Sequence, residues 1–168
     1  MDTIKKVFIS HINEERDVAL ALQELIYAQL SNSVGGKIEC CLSSDKWQWK
    51  AGEDWMKRIK AELAMANVVL LMLSPQSLTR HWVNLEGGAA WVTDRLMIPV
   101  IYSGLKIGSV PRPYSDFSAV DLEDDPYQLL RTLGEKLFYP PPLLPDHEAY
   151  TRLREALAQN LERISKLK

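Results

Sequence analysis

Cysteine is close to absent: two occur in 168 residues, and they are neighbours, Cys40 and Cys41. Successive side chains of a strand point to opposite faces, so the two are poorly placed to bridge each other, and they read as reduced thiols of a cytosolic protein. Histidine is also scarce, and His11, His81 and His147 have none of the regular spacing of a zinc site. Long apolar runs are missing as well. The strongest, Val68 to Leu73, falls far short of the ~20 residues that span a bilayer. There is no excess of positive charge: 20 Lys and Arg face 22 Asp and Glu, for a net charge of -2. That balance argues against a dedicated nucleic-acid binder, although a local basic patch remains compatible with it. The start, Met1-Asp2-Thr3-Ile4-Lys5-Lys6, enters a strand pattern with no apolar stretch and cleavage site. The expectation is a cytoplasmic protein that touches neither membrane nor nucleic acid.

Three phosphate and nucleophile signatures are missing too. No strand end carries GxGxxG, GxxxxGK[ST] or GxSxG, so a Rossmann dehydrogenase, a P-loop NTPase and a serine hydrolase have no foothold.

What is present is an alternation. Hydrophobic residues make up 46% and charged residues 25%, the range of a globular protein, and the length suits one domain with a full core. Lys5 to Ser10 reads as a short buried strand. A helix follows, with Asn13 as its cap, Glu14, Glu15 and Asp17 in its positive first turn, and Val18, Leu22, Leu25, Ile26 and Gln29 at helical spacing. Ser31 to Gly36 ends it. Lys37 to Leu42 is the second strand, and the polar stretch Ser43 to Gly52, with Trp47 and Trp49, is a loop. Glu53 and Asp54 open the next helix, whose Trp55, Ile59 and Leu63 share one face. Val68 to Leu73 is apolar at every position, as a central parallel strand covered on both faces must be. A third helical segment is expected after Ser74-Pro75 to about Thr93, a fourth strand over Met97 to Tyr102, a short fifth over Phe117 to Val120, and a helix over Pro126 to Phe138. Alternation of this kind implies right-handed crossovers and an α/β, flavodoxin-like three-layer sandwich with a five-stranded parallel sheet.

Pro140-Pro141-Pro142, with Pro145, cannot continue a helix and reads as a stiff connector that closes a domain over residues 1–139. Residues 140–168 then hold the connector and a C-terminal amphipathic helix. Tyr150, Leu153, Leu157, Leu161 and Ile164 form its apolar stripe, which must pack on the domain or serve association.

In an open parallel sheet, ligands bind beyond the carboxyl ends of the strands, which directs attention to Ser10-His11, Ser43-Ser44-Asp45 and Ser74-Pro75. Trp82 and Glu86 lie four apart and share a face if that segment is helical. A carboxyl beside an indole at such a rim has its pKa raised by desolvation. A core tryptophan and a solvated acid explain the same letters. Gly87 and Gly88 each cost a helix roughly 1 kcal/mol relative to Ala, so close packing or close approach of a ligand is served there.

Taken in order, these segments resemble a TIR domain of the bacterial kind. Val7-Phe8-Ile9-Ser10-His11 is similar to that family's first strand and the polar step after it, and Asn13-Glu14-Glu15-Arg16-Asp17 to its acidic helix start. Ser43 to Gly52 corresponds to its long loop, and Val68 to Ser77 to its central strand and serine turn. Trp82-Val83-Asn84-Leu85-Glu86 resembles the W-x-x-x-E signature, and Met97 to Ile101 the next strand. The likeness covers about residues 4 to 138.

The resemblance implies an NAD⁺ glycohydrolase that cleaves the nicotinamide–ribose bond, with Glu86 catalytic. Phe8, Ser10, His11, Ser43, Asp45, Trp47 or Trp49, Ser77 and Trp82 would bind substrate. The chemistry agrees with a lone acid. Nicotinamide leaves as a neutral molecule, so one carboxylate that stabilises the oxocarbenium-like ribose suffices, whereas ordinary glycosidases need two. NAD⁺ is then the substrate, with no separate cofactor and no metal. The resemblance also implies partners: other TIR protomers in an activating homo-oligomer or filament, an upstream sensor or a downstream effector, and a setting in bacterial immunity or signalling. For the loop tryptophans a partner interface is an equal reading, and His11 can be a helix neighbour without ligand contact. Two further functions remain open, a non-enzymatic TIR adaptor and a nucleoside deoxyribosyltransferase-like enzyme.

Overall fold

The computed structural model describes residues 4–31, 37–43, 55–80, 95–138 and 147–167, with the side chains of Trp55, Met56 and Arg58 outside the description. Five strands form one parallel sheet: β1 (Ile4–Ser10), β2 (Lys37–Leu42), β3 (Val68–Leu73), β4 (Leu96–Ile101) and β5 (Val120–Asp121). Their order is β2-β1-β3-β4-β5, which is the flavodoxin-like arrangement expected from the sequence. The helices are α1 (Arg16–Leu30), α2 (Trp55–Met65), α3 (Pro126–Leu137) and α4 (His147–Ser165).

Alternation along the strands divides the core into two layers. Val7, Ile9, Leu70, Met72, Ile98, Val100 and Tyr102 face α1, α3 and α4, whereas Phe8, Val69, Leu71, Leu73, Met97 and Ile101 face α2 and the segment around Tyr114. All six side chains of β3 are fully enclosed, which explains why that strand has no polar position at all. Each such side chain stabilises the fold by roughly 1.5–3 kcal/mol relative to exposure.

Pro99 is an apparent conflict, since β4 is an interior strand and proline donates no ladder hydrogen bond. The ladder resolves it. Tyr102 N–H points to Leu73 of β3, and Ile101 C=O accepts from Leu122, so by alternation Pro99 is turned toward the β5 side. There β5 pairs only with Val100 and Ile101, so no partner awaits the missing donor.

Three local expectations change. Asn13 does not cap α1; it opens a 3₁₀ turn, Asn13–Glu15, and neither Ile12 nor Glu15 makes a side-chain capping bond. Glu15 belongs to that 3₁₀ turn rather than to the helix, and it is buried. The third helix does not begin after Pro75: Ser77–Thr79 is a 3₁₀ turn and Arg80 is extended, because Ser74 and Ser77 bond to each other's backbone and close a tighter loop. The rest of that expected helix, residues 81–94, lies outside the described residues, as do 32–36, 44–54 and the proline connector at 139–146. The fifth strand falls at Val120–Asp121, slightly beyond its expected place.

Helix α4 packs against α1, with Ala149, Leu153 and Leu157 inside the same apolar cluster as β1 and β3, while Leu161 stays 43% exposed. None of the described helices is long and apolar enough to cross a membrane.

Candidate active site

The strand order reverses direction between β1 and β3, so the turns after these two strands flank the switch point where ligands bind in such sheets. Each turn is fixed by its own polar staple. After β1 the backbone N–H of His11 donates to Ser43 Oγ at 3.1 Å, and Ser43 Oγ donates to the His11 carbonyl at 3.1 Å. The Ser43 backbone N–H donates to Ile9 O at 3.0 Å, which continues the β1–β2 ladder to the rim. His11 Nδ1 lies 3.3 Å from both Ile9 O and Ser43 Oγ. Since the one hydroxyl proton of Ser43 is engaged on the His11 carbonyl, the network assigns a proton to Nδ1. Ser43 is therefore a brace for the rim rather than an activated nucleophile.

After β3, Ser77 Oγ accepts from Ser74 N–H at 2.8 Å and Ser74 Oγ accepts from Ser77 N–H at 3.0 Å. Ser74 Oγ in turn donates to Glu15 Oε2 at 2.9 Å, and the Tyr102 hydroxyl donates to the same carboxyl oxygen. Glu15 thus joins the turn after β1 to those after β3 and β4. Its other oxygen, Oε1, accepts from Asn160 Nδ2 at 3.0 Å, and Arg163 Nη2 stands 3.7 Å away. Burial, and next the carboxylate of Glu15, hold the Tyr102 phenol well above its ordinary 10.0, which keeps it the donor.

The turn after β4 needs a left-handed backbone, at Ser103 (φ 55°) and Gly104 (φ 75°). Glycine adopts this freely and serine does not, so something must hold it. Glu123, just after β5, accepts from the backbone N–H groups of both residues at 3.0 Å, and Asn160 Nδ2 donates to Ser103 Oγ at 2.8 Å. Strain of this sort gathers at rims that bind ligands.

Among the residues expected to form the site, Ser10, His11, Ser43 and Ser77 all stand at this rim and are buried. Phe8 is buried in the apolar layer that holds Ile59 and Leu63 of α2. Asp45, Trp47, Trp49, Trp82 and Glu86 lie outside the described residues. Four rim residues were not singled out from the sequence: Glu15, Tyr102, Asn160 and Arg163. Asn160 did leave a signal. It falls between Leu157 and Ile164 in the stripe that α4 buries, a place where an amide requires partners. Among the described residues, no group of three His, Cys, Asp or Glu side chains is placed to hold a metal ion.

Comparison with known proteins identifies the family. A family model described as TIR domain matches residues 7–134. The chain belongs to the TIR domain family. Its fold is similar to that of a metazoan TIR-STING receptor from C. gigas, at a TM-score of 0.53 and 20% identity over 68% of this chain. The match spans 36% of that receptor chain, so the larger molecule extends well beyond the shared part. The TIR domains of the activated Roq1 resistosome, a structure in which the pathogen effector XopQ is directly recognized, align at a TM-score of 0.47 and 16% identity, over 94% of this chain and 84% of theirs. No curated protein matches the chain.

Proposed function

We propose that this chain is an NAD⁺ glycohydrolase of the bacterial TIR kind, with Glu86 as the catalytic carboxylate. The observation that carries the reading is the family match over residues 7–134, a span that contains Trp82 and Glu86 in the segment between β3 and β4. Supporting it, the rim at the sheet's switch point is built from buried polar side chains.

In the proposed reaction the bond between C1′ of the ribose and the nicotinamide nitrogen breaks, and its electron pair leaves with neutral nicotinamide. Glu86 stabilises the positive charge that grows on the ribose. Water then adds to C1′ and releases a proton, giving ADP-ribose; attack by an atom of the same molecule gives a cyclic product instead. NAD⁺ is the substrate, and Trp82 with Trp47 or Trp49 would stack on its cationic ring. Ser10, His11, Ser43, Asp45 and Ser77 would shape the ribose side, with Phe8 beneath them. Residues 1–139 form the TIR unit in this reading. Activity rises when protomers assemble, in a cytoplasmic setting of immunity or signalling.

The test is to incubate concentrated or scaffolded protein with NAD⁺ and follow nicotinamide by mass spectrometry. Nicotinamide accumulates with the native chain and not with Glu86→Ala. No release from either would leave an adaptor that acts only by assembly. Base exchange between free nucleosides, with NAD⁺ intact, would instead indicate a deoxyribosyltransferase-like enzyme.

A further inference from the structure

The strongest unexplained feature of the molecule is the contact between α4 and the rim. An amphipathic helix can dock through its apolar stripe alone, and Leu153, Leu157 and Ile164 already do so. Yet α4 also drives Asn160, 6% exposed, into the network around Glu15, 1% exposed. Both amide protons of Asn160 are used, one on Glu15 Oε1 at 3.0 Å and one on Ser103 Oγ at 2.8 Å. Its carbonyl oxygen accepts from Arg163 Nη2 at 2.8 Å, and Arg163 Nη2 also donates to Gln76 Oε1 at 2.8 Å. A single helix turn therefore touches the turns after β1, β3 and β4 together.

We infer that α4 is a latch on the sheet's carboxyl rim, which uses Asn160 and Arg163 on Glu15 and Gln76 to set the conformation of the Ser74–Arg80 turn. The coupling follows from burial. With α4 docked, Glu15 receives Ser74, Tyr102 and Asn160 as donors and faces the Arg163 cation. With α4 lifted it loses the amide and the cation, and a buried carboxyl with fewer partners is costly unless its surroundings open to water. One of the two groups bonded to its other oxygen is Ser74 Oγ, which also holds Ser77 N–H. Release of the helix is thereby passed to the turn. Ser74–Arg80 is the described chain immediately before residues 81–94, which carry Trp82 and Glu86. A partner that captured α4 would thus reach the rim without touching it. The inference does not depend on NAD⁺ cleavage.

Hydrogen exchange read by mass spectrometry on the full chain, without NAD⁺, tests it. Asn160→Ala and, at the half-exposed position, Arg163→Ala are compared with Arg152→Ala, which cuts the surface pair with Glu24 of α1 and the pair with Glu148 within α4 and leaves the rim alone. In the first two variants, amides of residues 74–80 and of 102–105 exchange about 10-fold faster or more, together with those of α4, while β1 keeps its protection. Arg152→Ala leaves residues 74–80 at the native rate. Faster exchange confined to α4, equal acceleration through the whole sheet, or an effect of Arg152→Ala on residues 74–80 equal to that of Arg163→Ala would each overturn the latch.

Discussion

Cys40 and Glu15 show how differently an enclosed polar side chain can be treated. Cys40 sits in β2 against α1, where burial pushes its thiol up to about 12, with the neighbouring Cys41 and Glu39 adding to the effect. An un-ionised, enclosed thiol is a poor nucleophile. In the native protein, iodoacetamide at mildly alkaline pH should therefore leave Cys40 unmodified, with full labelling only after denaturation. Peptide mapping of the labelled protein checks this, and rapid native labelling at Cys40 would mean that β2 opens readily. Glu15, by contrast, is surrounded by donors and joins three turns, so its burial organises the rim. The sequence made the thiol's fate readable, because alternation within a strand depends on its neighbours alone. It hid that of Glu15, because an acid at a helix start is ordinarily solvated, and its partner Asn160 stands 145 positions away.

At the scale of elements, what was legible divides along the same line. β2 and β3 match their expected bounds, since alternation in β2 and an unbroken apolar run in β3, each bounded by glycine or polar residues, specify a half-covered and an enclosed strand without further information. Ser74–Arg80 reads as a helix start because the reciprocal serine bonds that close the tighter turn form only in space. Local capping was better specified in α3: Asp125 accepts from Tyr127 N–H at 3.0 Å, and Pro126 occupies the first helical position. Asp125→Ala should lower stability by about 1 kcal/mol. Its hydrogen bond with Arg131, and then the backbone donors, hold the Asp125 carboxyl below 3.8. The capping contribution is therefore present above pH 3.8 and fades only as the pH falls through the depressed value. Thermal unfolding of native protein and Asp125→Ala across that range should show the two converging at low pH.

For the whole molecule the dominant titrations run the other way. The Cys40 thiol and the Tyr27 and Tyr102 phenols are all raised, chiefly by burial. The native state then binds these protons more tightly than the unfolded chain, so stability is full below the unfolded values and is lost as pH climbs from 9.0 toward about 12. Denaturant midpoints should be level between neutrality and pH 9.0 and fall steeply above it, and Cys40→Ala should make that alkaline fall shallower. A fall of undiminished slope in Cys40→Ala would assign it to the tyrosines.

The fold and the proposed reaction also meet at this scale. Five parallel strands bring residues far apart in the chain to one edge, where buried polar side chains form a connected rim, although neither periodicity nor composition names a substrate. The most direct measurement is the rate of nicotinamide release from NAD⁺ by native protein and by Glu86→Gln, at matched concentration and after both are shown to be folded and equally assembled. Loss of the single carboxylate should slow release by about 10²–10³-fold or more. Equal rates in the two proteins would contradict the assignment of catalysis to Glu86.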